Sequence, residues 1–148
     1  MEQFMQVIRS LEAQHHTLVG FGVRLVLVSP ETPDNILPHR LAGLGGVVEQ
    51  RTELYEALEA LIEDPFDYGL CVIDCDAIGG LEAGRRAVQM LSVTTRRVPV
   101  ILISSECKGQ EFPVDTHAPV VLRGPASAVS MRVGFEHALR DRLASRLI

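Results

Sequence analysis

The sequence predicts a doubly wound, all-parallel α/β domain. Short apolar runs rich in β-branched residues alternate along the chain with amphipathic stretches of helical period, and the runs are punctuated by Gly, Pro or Ser turn signals. Parallel strands joined this way must bury a helix at each crossover, which covers the sheet on both faces. At 148 residues, with 47% apolar residues, the chain is long enough for one core without a metal or disulfide staple.

Phe4, Val7, Ile8 and Leu11 recur at helical spacing, so a helix is expected over residues 1–18, ahead of an α/β unit spanning 22–148. Gly20-Phe21-Gly22 interrupts it, and Arg24-Leu25-Val26-Leu27-Val28 reads as the first strand, stopped by Ser29-Pro30. Asn35 to Leu44 allows a short helix restricted by Pro38 and ended by Gly43, Gly45 and Gly46, and Val47-Val48-Glu49 is a short second strand. Thr52 is placed to cap the next helix, whose apolar face is Leu54, Leu58, Leu61 and Ile62, with Pro65 just beyond. Leu70-Cys71-Val72-Ile73 is the third strand and Asp74 closes it. Leu81 to Ser92 forms a helix with Leu81, Ala87, Val88 and Leu91 inward, and Val98 to Ile103 is the fourth strand. Glu106 to His117 has little periodicity and reads as a loop or a stunted helix. Val120-Val121-Leu122 is the fifth strand. A last helix from Ser127 to Leu147 would face Val129, Val133, His137 or Ala138, and Leu143 inward.

Composition narrows the function. The net charge is −5 and the basic residues form no block, so the overall field disfavours nucleic acid. The arginines of the last helix, Arg132, Arg140, Arg142 and Arg146, are offset by Glu136 and Asp141. No apolar run has the length of a membrane span or the form of an export signal, so a cytoplasmic protein is expected. Three cysteines, Cys71, Cys75 and Cys107, fit reduced thiols and match no zinc spacing. Cys75 and Cys107 fall near the ends of adjacent strands, where a redox pair is weighed against buried packing. The five histidines show no ligand spacing.

Asp74 is the leading site candidate, because open α/β sheets place their chemistry beyond the C-terminal ends of their strands. It ends a strand and opens the turn Cys75-Asp76-Ala77-Ile78-Gly79-Gly80. Its alternative role is a carboxylate that caps this turn. Ser104 ends the fourth strand, and Arg123-Gly124-Pro125 follows the fifth.

Taken together, Asp74, Ser104 and Arg123 at successive strand ends make the chain from about Gly22 to Leu143 resemble the receiver domain of bacterial response regulators. The resemblance implies a flavodoxin-like sheet of order 2-1-3-4-5. It also implies an aspartyl acceptor, Asp74, that takes a phosphoryl group from a histidine kinase or phosphotransfer protein; Ser104 would contact the new phosphate and Arg123 would pair with its charge. The family holds Mg²⁺ with two acidic residues after the first strand; here Ser29-Pro30 stand there, with Glu31 one place late, so metal binding is expected to be weak or lost and no cofactor is assigned. A cation site drawing on Glu31, Asp74 and Asp76 is a further option, weighed against Asp76 as a solvated turn residue. Arginine replaces the family's lysine, Gly124 is inserted before the proline, and Val120 replaces the aromatic of the family's output face.

The expected function is phosphorelay signalling through contact with a downstream protein, with no enzyme of substrate turnover. The alternatives are a phosphorylation-independent dimerisation module, with a homodimer through the N-terminal helix, and a flavodoxin-like nucleotide or flavin binder. Ser29-Pro30-Glu31-Thr32-Pro33 lacks the glycines and free N–H groups of a phosphate cradle, which weighs against the last.

Overall fold

The computed structural model describes residues 22–93 and 97–141. Five strands, β1 (Arg24–Val28), β2 (Val47–Arg51), β3 (Leu70–Asp74), β4 (Val100–Ser104) and β5 (Val120–Arg123), form one sheet. All pairings between them are parallel and the order is β2-β1-β3-β4-β5, the flavodoxin-like α/β arrangement expected from the sequence. The helices are α1 (Leu37–Gly43), α2 (Leu54–Glu63), α3 (Leu81–Leu91) and α4 (Ala128–Ala138). The expected N-terminal helix, Leu143 and the end of the last helix lie outside the described residues.

Alternation along the strands sorts the core into two layers. Val26, Val28, Cys71, Ile73, Val100 and Leu102 face Ala57, Leu58 and Leu61 of α2 and Ala87 and Leu91 of α3. Leu25, Leu27, Leu70, Val72, Ile101 and Leu122 face Leu41 of α1 and Met131, Phe135 and Leu139 beyond them. The apolar residues of β1, β3 and β4 are therefore buried on either side of the sheet. β2 runs two residues further than expected, because Gln50 and Arg51 continue the ladder opposite Leu27 and Val28.

Local expectations are corrected at four places. The N-cap of α2 is Glu53, not Thr52: its backbone is extended and its carboxylate accepts from the N–H groups of Tyr55 and Glu56, both at 3.0 Å. Ile62, expected inward, is exposed, since Ala57, Leu58 and Leu61 already fill that face. Strand β4 starts at Val100 rather than Val98, although the carbonyl of Pro99 still accepts from Cys71 N–H at 2.9 Å. The phase of α4 also differs. Val129 and Val133 are exposed while Met131 and Phe135 are fully buried, because the helix carries two apolar stripes and the one with the larger side chains removes more area from water.

The β4–β5 connection contains no helix among its described residues and instead runs along the free edge of β5. Glu111 exchanges both backbone bonds with Val121, at 2.9 and 3.0 Å, and Gln110 Oε1 accepts from Arg123 N–H at 3.2 Å. An edge strand paired in this way presents fewer open donors and acceptors to other chains. The connection is pinned from α4 and just beyond it, where His137 Nε2 lies 2.6 Å from the carbonyl of Pro113 and Arg140 donates to the carbonyls of Pro113 and Val114. No helix of the described residues is long and apolar enough to cross a membrane.

One polar cluster ties β1, β2 and the approach to β3 together. Arg24 pairs with Glu49, lies 3.6 Å from Asp67 and stacks 4.9 Å from the centre of the Tyr68 ring, while Tyr68 Oη donates to Glu49 at 2.7 Å. The hydrogen bonds from Arg24 and Tyr68 hold the Glu49 carboxyl below the usual range. A depressed folded-state pKa gives stability that is present above the unfolded carboxyl pKa and is lost as pH falls through the folded one. Glu49→Gln is therefore expected to cost about 1 kcal/mol at neutral pH, because the cluster is partly exposed and a neutral amide hydrogen-bonds more weakly. Urea unfolding from pH 7 to pH 3 should show the gap between wild type and variant closing in acid; a gap that stays constant would contradict this role.

Candidate functional site at the C-terminal edge of the sheet

Asp74 is the last residue of β3, set in register with Ile103 of β4. A one-turn 3-10 segment, Cys75–Ala77, follows it and leads through Gly79 and Gly80 into α3. Asp74 lies on a cleft of about 450 Å³. Asp34, Asn35 and Ile36 of the β1–α1 segment, with Leu37 and Arg40 of α1, form one wall. Gly124, Pro125, Ala126 and Ser127 of the β5–α4 segment form the other, and Asp74, Asp76, Ile103 and Ser105 lie between them. The cleft is thus made by strand ends and the turns that follow them, as in other doubly wound sheets. A hollow of about 20 Å³ at the N-terminal ends of β4 and β5, near Val98 and Pro119, has room for no more than a water.

Asp74 is half-buried, and burial pushes its carboxyl above the usual range, with the neighbouring Asp76 charge adding to the rise. The Asp76 N–H opposes this to a smaller extent. No capping hydrogen bond of full geometry joins the side chain to the turn, so the turn-capping alternative rests on the weaker Asp76 N–H interaction. Asp76 is engaged differently. Both of its oxygens accept from Ser105 N–H at 3.1 Å, and Oδ1 lies 3.4 Å from Ser104 Oγ.

Ser104 and Arg123 do stand at adjacent strand ends, paired in register one residue beyond the Asp74–Ile103 pair. Ser104 is fully buried, and its hydroxyl oxygen accepts from Glu106 N–H at 3.1 Å. Arg123 turns to the β4–β5 connection, donating to the carbonyls of Cys107, at 3.2 Å, and Lys108. Among the described residues no ion pair joins Arg123 to Asp74. The guanidinium on the cleft wall is Arg40, which donates to the carbonyl of Ala126 and so links α1 to the β5–α4 segment. Its position one residue before buried Leu41, and three after Leu37, was the available sequence signal. The inserted Gly124 also has a place: its N–H donates to the carbonyl of Ser104 at 2.9 Å, and a Cβ there would come within 3.3 Å of the Ser104–Ser105 peptide.

The two residues that leave β1, Ser29 and Pro30, are uncharged and held by neutral amides. Asn35 and Gln50 side-chain amides both donate to Ser29 Oγ at 2.9 Å and to the carbonyl of Pro30 at 2.8 Å. The lone pairs that Ser29 and Pro30 offer are therefore committed to amide N–H groups, and Glu31 is exposed. Among the described residues no three His, Cys, Asp or Glu side chains gather as a metal-ligand group. These residues do not fit the Mg²⁺ that the receiver pattern implies, because a hard divalent ion needs several carboxylate or carbonyl oxygens free to turn toward it.

The thiols do not supply chemistry here. Cys71, Cys75 and Cys107 are buried and unbridged, and burial pushes the Cys71 and Cys75 thiols up to about 12. Cys107 Sγ lies 3.2 Å from the carbonyl of Gly109. The redox pair weighed from their spacing gives way to ordinary core packing.

Compared with known proteins, the chain matches no family model, no curated protein and no solved structure.

The raised pKa of Asp74 has a consequence for stability. Between the unfolded and folded pKa values the native state binds more protons than the unfolded chain, so this group's contribution falls as pH rises through that window. Asp74→Asn removes the buried charge and should raise the melting temperature at pH 7. The difference should vanish below the ordinary aspartate pKa of about 3.9, where both proteins are neutral at this position. A variant less stable than wild type at pH 7 would mean that the Asp74 charge is compensated.

Proposed function

We propose that the chain is an atypical receiver-like module of phosphorelay signalling that acts through protein contact, with Asp74 as its phosphoryl acceptor. The observation that carries this reading is the half-buried Asp74 carboxylate at the end of β3, in a cleft shared with Asp76 and Ser105. A carboxylate at a strand end, with no paired cation among the described residues and with the Asp76 N–H beside it, is suited to nucleophilic attack on phosphorus.

In the forward step an Asp74 oxygen forms a bond to the phosphorus of a phosphohistidine donor, the P–N bond breaks, and the imidazole leaves with that electron pair and takes up a proton. Because Ser29 and Pro30 are uncharged and held by amides, transfer draws on protein donors rather than on a divalent ion. Among the described residues Arg40 is the one cationic side chain on the cleft wall, in place of the expected Arg123.

A second reading, a phosphorylation-independent binding module, is favoured by the same uncharged pair. The amides of Asn35 and Gln50 occupy Ser29 Oγ and the Pro30 carbonyl, so those oxygens are not free to hold a cation beside a phosphoryl group. Output through a protein partner is common to both readings. A homodimer through residues 1–18 and a cytoplasmic location belong to this proposal as well.

Incubation with acetyl phosphate, followed by intact mass, separates the two. The acceptor reading predicts a single phosphoryl adduct on wild type, none on Asp74→Asn, and a rate that changes less than about twofold when Mg²⁺ is replaced by chelator, since removal of a true metal contribution costs orders of magnitude. Absence of an adduct on wild type with acetyl phosphate and with phosphohistidine donors alike would leave the binding module as the function.

A further inference from the structure

Asp76 spends its carboxylate on a different loop from its own. Both oxygens accept from Ser105 N–H, across 29 residues of sequence, and Oδ1 is the acceptor nearest the proton of the Ser104 hydroxyl, whose oxygen is already taken by Glu106 N–H. Glu106 reaches back the other way, its Oε1 accepting from Leu81 N–H at 3.3 Å at the start of α3. Gly80 makes this reach feasible: its φ is +111° and a Cβ there would stand 2.2 Å from Glu106 Oε1. The β3 and β4 turns therefore clasp each other twice, beside Asp74.

A strand-end hydroxyl and the next backbone N–H converging on one carboxylate form a donor pair that accommodates any oxyanion of similar size. The present occupant is exposed to water, so its hold is exchangeable, whereas the Ser104 side of the pair is fully buried and fixed. We propose that Asp76 is a resident anion: its carboxylate fills the Ser104 Oγ and Ser105 N–H donors that phosphoryl oxygens at Asp74 would use, so that such a group must displace it. The proposal rests on the reading of Asp74 as the acceptor. Asp76 is then a positioning residue. It keeps the β4 turn in an anion-bound arrangement when no external anion is present, and it competes with any that arrives.

Inorganic phosphate tests this without covalent chemistry. The full chain is prepared as Asp74→Asn, alone and combined with Asp76→Ala or Asp76→Asn, and the Ser105 amide is followed by hydrogen exchange and by its NMR shift during phosphate titration. Asp74→Asn removes the adjacent charge and the acceptor together, so the result is independent of whether Asp74 is ever phosphorylated. With Asp76 present, Ser105 should exchange slowly and ignore phosphate. With Asp76→Ala its exchange should rise about tenfold, as when one charge-assisted bond is lost, and phosphate should restore protection. Asp76→Asn, which keeps the shape and one acceptor oxygen, should fall between the two and guards against a folding defect in the alanine variant. The proposal is overturned by Ser105 exchange that neither substitution changes, by phosphate protecting Ser105 equally with Asp76 in place, or by phosphate failing to protect it when Asp76 is absent.

Discussion

The central strands β1, β3 and β4 are apolar along their lengths and covered on both faces, and this constraint decides where polar chemistry can occur. A charge within any of them would be buried without water, at a cost that only specific partners offset. Ionisable groups are therefore expelled to the strand ends. Asp74 is the first residue of β3 that reaches the surface, Ser29 follows β1, and Ser104 ends β4. The cleft arises from the same cause, since the segments leaving β1 and β5 must climb away from the sheet edge before α1 and α4 begin.

What distinguishes this edge is how its polar groups are satisfied. The two residues that leave β1 are uncharged, Ser29 and the carbonyl of Pro30 being consumed by the amides of Asn35 and Gln50. Asp76 is satisfied by the β4 turn, and Arg123 by backbone carbonyls of the β4–β5 connection. Asp74 alone among these is left half-buried beside a second carboxylate, and burial first and the Asp76 charge second hold its carboxyl above the usual range. A carboxyl raised by burial in a cleft is a functional-site candidate.

The strands were legible because their signal is local: four or five apolar residues with a turn residue after them leave little choice of conformation. Asp74 and Ser104 were legible for the same reason, each being the first polar residue after such a run. Elsewhere the sequence offered two equivalent answers. Thr52 and Glu53 both bear oxygens at the start of α2, and α4 carries Val129 and Val133 on one stripe and Met131 and Phe135 on the other. The partners of Arg123 were beyond reach, since they are backbone carbonyls in an aperiodic connection and no side-chain pattern encodes them. Asp76 was read as a solvated turn residue or a cation ligand. Its bond to Ser105 depends on two turns meeting across the sheet edge, a tertiary fact with no periodic trace.

Among the described residues Asp74 is a half-buried carboxyl with no ion-pair partner, held beside Asp76. The most direct test is the side-chain carboxyl titration of Asp74 by carbon-detected NMR, in wild type and in Asp76→Asn. The expected midpoint lies above the ordinary aspartate value in wild type and moves down when the Asp76 charge is removed. A wild-type midpoint at or below that value would mean that a cation pairs with Asp74, and would contradict the account.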